Sequence, residues 1–451
     1  MATGATPSTR DSWATHAGFL LAAVGSAVGL GNMWRFSYIA SQGGGAAFII
    51  AYLVLVAVIG IPLMTSEFIV GRMTQVSPAK ALRELGGTAW SPLGWLFVFC
   101  GFGILSYYSV IAGWTMRYAI VAIGTGIPAE TGEYFGEVSQ GTDALIGHLV
   151  FIALTVFVVV GGVKHGIERA AVILMPVLFL LLIGLAVWAF TLPGSREGYS
   201  NYLDPSFGEL FNRRILTDAA GQAFFSLSLG MGALMTYASY IRDKRDLGRE
   251  ATIVATCDFG VAFLAGLVVF PIIFSFGLTD QVGESSVGAL FISLPAGFSS
   301  MGVAGKIVGT TFFIMLLFAA LTSSISLLEV VVAAFIDGLG WTRKKATITL
   351  GAVAAALGIP SAYSTNFLGA ADAVIGNFLL IVGGLLTSIF VGYVILPKAD
   401  AELAQGLESP LFRKGWAIMV RYVVPLILAV VCFFLIAPTW AAIQTMFGAG
   451  G

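Results

Sequence analysis

The sequence predicts an all-α integral membrane protein of eleven transmembrane helices, with helices 1 and 6 discontinuous and the first ten related as a 5+5 inverted repeat. Three observations lead there. Hydrophobic residues make up 58% of the 451-residue chain and charged residues only 10%, where a soluble domain carries about 25% charged. Apolar runs of about 20 residues, enough to cross the hydrocarbon as helix, recur along the chain. Two of these runs are interrupted: by Gly25-Ser26-Ala27-Val28-Gly29-Leu30-Gly31-Asn32 and, about 200 residues later, by Ser226-Leu227-Ser228-Leu229-Gly230-Met231-Gly232. Lipid offers no water to a freed N–H or C=O, so irregular backbone at that depth belongs beside a protein cavity or a bound solute. Matched breaks in the two halves of a chain point to a site near the bilayer midplane. Small residues also let helices pack closely in lipid, but the polar flanks Asn32, Ser226 and Ser228 favour a site.

In order, the spans are read at 13–38, 44–71, 92–124, 144–162, 167–190, 215–241, 247–278, 304–338, 342–357, 370–396 and 415–441. Residues 1–451 form one domain, with a first repeat at about 13–190, a second at about 215–396 and an extra helix at about 415–441. The first run follows a short polar segment and lacks a convincing cleavage site, so it reads as a span and not a removable signal. With the N-terminus inside, the inner segments hold Arg10, Arg72, Lys80, Arg83, Lys164, Arg169, Arg242, Lys244, Arg245, Arg249, Arg343, Lys344, Lys345, Lys398, Arg413 and Lys414. The outer segments hold only Arg196, Arg213, Arg214 and Lys306. That asymmetry predicts an inner N-terminus and an outer C-terminus. Five spans separate the two breaks, so the second enters the membrane in the opposite sense.

Composition excludes other classes. A net charge of -1 gives no basis for nucleic-acid binding. Cys100, Cys257 and Cys432 lack paired spacing and read as apolar packing residues, not a disulfide framework or thiolate metal site. His16, His148 and His165 form no ligand cluster. Polar groups at membrane depth each need a reason, because an acid at mid-helix costs about 2.5 to 3.5 kcal/mol on insertion scales. Asn32, Glu67, Asp258, Glu329 and the run Thr322-Ser323-Ser324 are the candidates. Glu67 reads as a scaffold acceptor for N–H groups freed at a helix break. A broken helix offers N–H groups to a carboxylate at one end and bare carbonyls to a cation at the other. Carbonyls of Gly25, Ala27 and Val28 with the oxygens of Asn32, Ser226 and Thr322 suit a hard cation such as sodium.

The segments Gly25-Ser-Ala-Val-Gly-Leu-Gly-Asn-Met-Trp-Arg-Phe36, Gln42-Gly-Gly-Gly45, Gly60-Ile-Pro-Leu-Met-Thr-Ser-Glu67, Gly221-Gln-Ala-Phe-Phe-Ser-Leu-Ser-Leu-Gly230, Tyr237-Ala-Ser-Tyr240 and Leu321-Thr-Ser-Ser324 resemble the neurotransmitter:sodium symporters. The likeness runs over essentially the whole chain and is strongest to bacterial members that carry hydrophobic amino acids on eleven spans. It implies two sodium ions and no organic cofactor. One sodium would be held by Ala27, Asn32, Ser226 and Asp258 with the substrate carboxylate, the other by Gly25, Val28, Ala319, Thr322 and Ser323. The substrate would lie against Ala27, Gly29, Leu30, Gly31, Ile104, Tyr108, Phe225, Ser226, Ser228, Met231, Ser323 and Leu327. Tyr108 would donate to its carboxylate and Phe225 would act as a lid. The resemblance maps an outer gate to Arg35 and Asp372 and an inner gate to Arg10 and Asp337, with Tyr240 nearby.

Members that carry monoamines place an acid where this chain has Gly29, so the resemblance favours a zwitterionic amino acid. The apolar Ile104, Met231 and Leu327 then favour neutral hydrophobic or aromatic L-amino acids, methionine being adaptable to several shapes. Asp258 stands where many members have asparagine, with Ala262 one turn on, which implies charge compensation by Asp258 and transport without chloride. Gly166 and Pro176 bracket the start of span five at a spacing that the family associates with local unwinding. The expected setting is the lipid bilayer of a bacterial inner membrane, as a multi-pass monomer without nucleic acid. A sodium symporter for a different small solute, or a non-transporting substrate sensor on the same fold, is the alternative.

Overall fold

The computed structural model describes residues 11–42, 44–204, 207–279, 286–407 and 409–446, and all regular elements among them are helical. Backbone groups in lipid must be satisfied within their own segment, and a helix does this. Among the described residues, nine helices are long and apolar enough to cross a bilayer. In chain order the structure runs through α1 (His16–Ala27), α2 (Phe36–Gln42), α3 (Ala46–Thr74), α4 (Pro78–Gly86), α5 (Thr88–Ile123), α6 (Thr142–Val160) and α7 (Val163–Ala189). It continues through α8 (Arg213–Ser226), α9 (Ala233–Ala238), α10 (Leu247–Ser275), α11 (Val303–Leu339), α12 (Arg343–Tyr363), α13 (Thr365–Val394) and α14 (Pro410–Thr445). The nine are α3, α5, α6, α7, α10, α11, α12, α13 and α14; α1 with the segment Gly31–Gln42, bent by 64° at the break, makes a tenth crossing. The segment expected as the sixth span is the pair α8 and α9, each too short to cross alone.

Side chains mark where the helices begin. The Thr15 hydroxyl accepts from Gly18 N at 2.9 Å at the start of α1, and Asp246 accepts from Arg249 N at 3.0 Å at the start of α10, each occupying a donor that the first turn leaves free. α12 runs to Tyr363, past the expected end at 357, although Gly358 and Pro360 interrupt its pattern. Gly358 is there for packing, since a Cβ on it would fall 2.4 Å from the ring of His148.

Burial sorts the helices into a centre and a lipid-facing rim. In α5 and α11, 72% of the apolar window is buried, against 28% in α7 and 22% in α14. α5 and α11 therefore wall the middle of the molecule, beside the two breaks. A short apolar helix, Leu290–Ser300, lies between the spans expected at 247–278 and 304–338. Tyr118 Oη donates to Phe291 O at 2.6 Å, and the Trp114 and Phe298 rings pack edge-on or tilted against Phe291 and Phe312. Its apolar run is too short for a span, the length at which interfacial or re-entrant helices are found.

Candidate functional site

The first break leaves backbone groups that neighbouring helices complete. Val28 is extended (φ -71, ψ 108), and the chain re-enters helix through a π turn over Gly31–Arg35. Gly29 N donates to Asn32 Oδ1 at 2.9 Å, and Leu30 N to Tyr108 Oη at 3.3 Å. On the carbonyl side, Ser228 Oγ donates to Ser26 O at 2.7 Å, and Gln222 Nε2 to Gly31 O at 3.0 Å. The glycines are spatial requirements. A Cβ on Gly29 would lie 2.9 Å from Ser323 Oγ, and one on Gly31 2.9 Å from the Phe225 ring.

A cavity opens at this point, lined by Ala27, Gly29, Gly31, Ile104, Tyr108, Phe225, Ser226, Ser228, Met231, Ser323 and Leu327, together with Ser26 and Asn32. All the predicted substrate contacts meet here except Leu30. Leu30 instead borders a second cavity on the other side of Phe225, lined also by Arg35, Tyr107 and Asp372. Phe225 borders both and so stands between them. The lining combines apolar Ile104, Phe225, Met231 and Leu327 with backbone and hydroxyl groups, which is how pockets for small amphipathic ligands are built.

Asp258 lies beside the cavity, wholly buried. Its carboxylate accepts from Asn32 Nδ2 at 2.6 Å, from Ser226 Oγ at 2.9 Å to both oxygens, and from Tyr52 Oη at 3.0 Å. A buried charge needs hydrogen bonds and a counter-charge; amide, hydroxyl and phenol supply the hydrogen bonds here. Asn32 turns its nitrogen to the carboxylate and its oxygen to Gly29 N, which leaves the second lone pair of Oδ1 for a cation. A second cluster sits on α11. Ser323 Oγ lies 3.5, 3.4 and 3.3 Å from the carbonyls of Gly25, Ser26 and Val28, and Thr322 Oγ1 donates to Ala319 O at 3.0 Å. Gly25 presses on α11 closely enough that a Cβ would lie 3.1 Å from Thr322. Ser323 thus reaches the break carbonyls of Gly25 and Val28, while Thr322 and Ala319 are joined within α11; all are oxygens, the kind of donor that a hard cation takes.

The model of the Sodium:neurotransmitter symporter family matches residues 10–137 and 133–445. The chain belongs to that family. It is 37% identical to the uncharacterized sodium-dependent transporter YhdH of Bacillus subtilis, over 94% of this chain and 97% of that one. The sodium-dependent serotonin transporter of Drosophila melanogaster is 28% identical, over 95% and 77%. Among solved structures, the crystal structure of MhsT in complex with L-phenylalanine matches with a TM-score of 0.87 and 40% identity, covering 94% of this chain and 99% of that one. The family is one of multi-pass, sodium-dependent transporters and not of enzymes.

In this symporter the expected gates are only partly joined. Among the described residues, Arg35 and Asp372 make no direct ion pair: Arg35 Nη2 donates to Asn377 Oδ1 at 2.7 Å, and Asp372 accepts from Tyr107 Oη at 2.9 Å. Arg10 lies outside the described residues. Asp337 accepts from Ser77 N at 2.5 Å. Tyr240 Oη donates to Glu329, which Arg343 grips through both Nη atoms at 2.7 and 2.9 Å while also pairing with Asp11 at 2.9 Å. Glu168 receives Ala14 N, Thr15 N and Thr15 Oγ1 at 2.6, 3.0 and 2.7 Å, and Trp13 Nε1 donates to Tyr237 O at 2.9 Å. The N-terminal end of α1 is therefore tied down. The start of α7 is helical throughout, with a π turn over Val163–Ile167 containing Gly166, so the expected unwinding between Gly166 and Pro176 is absent from this conformation.

Glu67 meets the second break: its Oε1 accepts Gly230 N at 2.9 Å. Ser228, Gly230 and Gly232 there adopt φ of 53°, 74° and 73°, the left-handed region that only glycine enters freely. Sequence reading missed Tyr52, Gln222, Glu168 and Asn377. A buried tyrosine or glutamine in an apolar run is the available signal, but its partner lies on a distant helix.

Proposed function

We propose that the protein couples sodium to the uptake of neutral hydrophobic or aromatic L-amino acids by alternating access, with two sodium ions per substrate and no chloride. The carrying observation is that the first break, the Asp258 cluster and the Ser323 cluster surround one cavity whose far wall is Ile104, Met231 and Leu327. A substrate carboxylate fits against Tyr108 Oη, and an apolar side chain against Ile104, Met231 and Leu327. Gly29 leaves no room for the acid that a monoamine would need. MhsT, similar over nearly the whole chain, is described with bound L-phenylalanine, which supports the same substrate class. Asp258 brings a negative charge to the side of the first sodium site, so an added anion is not needed there.

On this reading α8 and α9 together form a crossing, which makes eleven spans with an inner N-terminus and an outer C-terminus in a bacterial inner membrane, and the two breaks are related by a 5+5 inverted repeat. Moving one charge across 100 mV is worth about 2.3 kcal/mol, and a tenfold gradient adds about 1.4 kcal/mol. Two sodium ions then supply roughly 7 kcal/mol, an accumulation on the order of 10⁵-fold. Proteoliposomes loaded with potassium and placed in sodium should accumulate labelled tryptophan, phenylalanine or leucine equally in chloride and gluconate. Preference for glycine, proline or a charged amino acid, or uptake driven as well by potassium, would overturn the reading.

A further inference from the structure

We propose that Asn377 is the positioning residue of the outer gate, an amide clasp that joins Arg35 to Asp372 in place of a direct ion pair and sets how fast bound substrate escapes. The inference rests on reading Arg35, Asp372 and Phe225 as that gate. Arg35 holds the lid on one side, its guanidinium carbon 5.3 Å from the centre of the Phe225 ring. On the other side its Nη2 donates to Asn377 Oδ1 at 2.7 Å, while Asn377 Nδ2 lies 3.4 Å from both the Asp372 carboxylate and its carbonyl. Asp372 is anchored in turn by Tyr107 Oη at 2.9 Å.

The backbone is shaped for this clasp. Asp372–Leu379 is a π-helical stretch within α13. Five residues are about 1.4 turns of α-helix, which would point positions 372 and 377 to different sides. The wider π turn closes at i to i+5 and stacks them. One glycine clears the space: a Cβ on Gly376 would strike Tyr107 Oη at 2.4 Å and Asp372 Oδ1 at 2.5 Å.

Chemistry selects the residue. A guanidinium only donates and a carboxylate only accepts, so a side chain between them must accept at one end and donate at the other, which an amide does. The same requirement fixes its orientation, with oxygen toward Arg35. A carboxylate at 377 would set two like charges side by side, and an apolar residue would leave Arg35 without its acceptor. A neutral clasp also avoids the desolvation that a tight ion pair demands, which keeps the gate able to reopen.

The test is the dissociation rate of labelled tryptophan from the purified protein in sodium, after dilution into excess unlabelled ligand. N377L should release ligand about tenfold faster, with the melting temperature of the ligand-free protein unchanged, and N377Q should return the rate to within about threefold of the parent. R35L should also speed release, and R35L/N377L should be no faster than R35L alone, because the amide acts through Arg35. If R35L speeds release and N377L does not, or if the two effects multiply, the clasp is overturned while the gate stands. If neither variant changes the rate, the gate reading falls and takes the clasp with it. Should N377L not fold, N377A carries the same test.

Discussion

The two helix breaks look alike in sequence and are finished in opposite ways. Loose groups at the first, around residues 28–30, are met by side chains on α5, α8 and α11: Tyr108 takes Leu30 N, Gln222 reaches Gly31 O, and Ser323 lies against three carbonyls. At the second, Gly230 N is met by Glu67, a fully buried acid on α3. Gly230 itself is wedged against α13, where a Cβ would lie 2.1 Å from Leu380 O. The first break is dressed by groups that line the cavity, so a ligand can compete for them. The second is fixed by a dedicated carboxylate and by backbone contact. A pair of matched breaks can therefore divide labour: both line the cavity, the second through Ser226, Ser228 and Met231, but only the second is held by a fixed support outside it.

This contrast gives its own tests. Gly230→Ala should be the most damaging, since it forces a left-handed φ and a backbone overlap together; folded protein should be lost in fluorescence-detected size exclusion. Gly29→Ala, facing only the movable Ser323 hydroxyl and Tyr108 phenol, should fold and lose substrate binding. Equal behaviour of the two variants would erase the distinction. Asp258→Asn removes the charge beside the first break, and sodium-dependent binding should weaken by at least about tenfold, roughly 1.4 kcal/mol, with chloride recovering part of it. Binding that ignores both the substitution and chloride would deny Asp258 its compensating role.

Glu67→Leu should leave Gly230 N unpartnered, at a cost of about 1 to 3 kcal/mol, seen as a lower melting temperature with ligand affinity changed less than stability. An affinity loss without a stability loss would make Glu67 part of the site and not the frame. The mildest effect is expected at the apolar wall. Met231→Ala should change the ranking of leucine against tryptophan by about 1 to 3 kcal/mol in a competition assay, the scale at which hydrophobic pockets discriminate, while sodium dependence stays as it was.

Much was legible before any coordinates. Apolar run length marked the spans, because lipid imposes its thickness on the sequence. The breaks were visible because glycine, serine and asparagine are conspicuous inside hydrocarbon-length segments. Less legible were positions whose meaning depends on a partner far along the chain. Tyr52 is an ordinary aromatic in an apolar run until α3 brings it to Asp258, 206 positions away. The Arg35–Asp372 pairing carried over from the family is interrupted by Asn377, which becomes visible only once a π turn realigns α13. The apolar helix Leu290–Ser300 is shorter than a span, so run length gives no sign of it.

Sequence alone determined that this chain lives in a membrane, where its helices lie and where two of them must break, since those follow from the local cost of placing polar or apolar groups in hydrocarbon. Tertiary structure decided which atoms finish each break, which carboxylate faces the cavity and which supports the frame, and how the outer arginine is held. Those depend on distances between helices hundreds of residues apart, and hydrogen bonds a few ångströms long are not written in the order of residues along one chain.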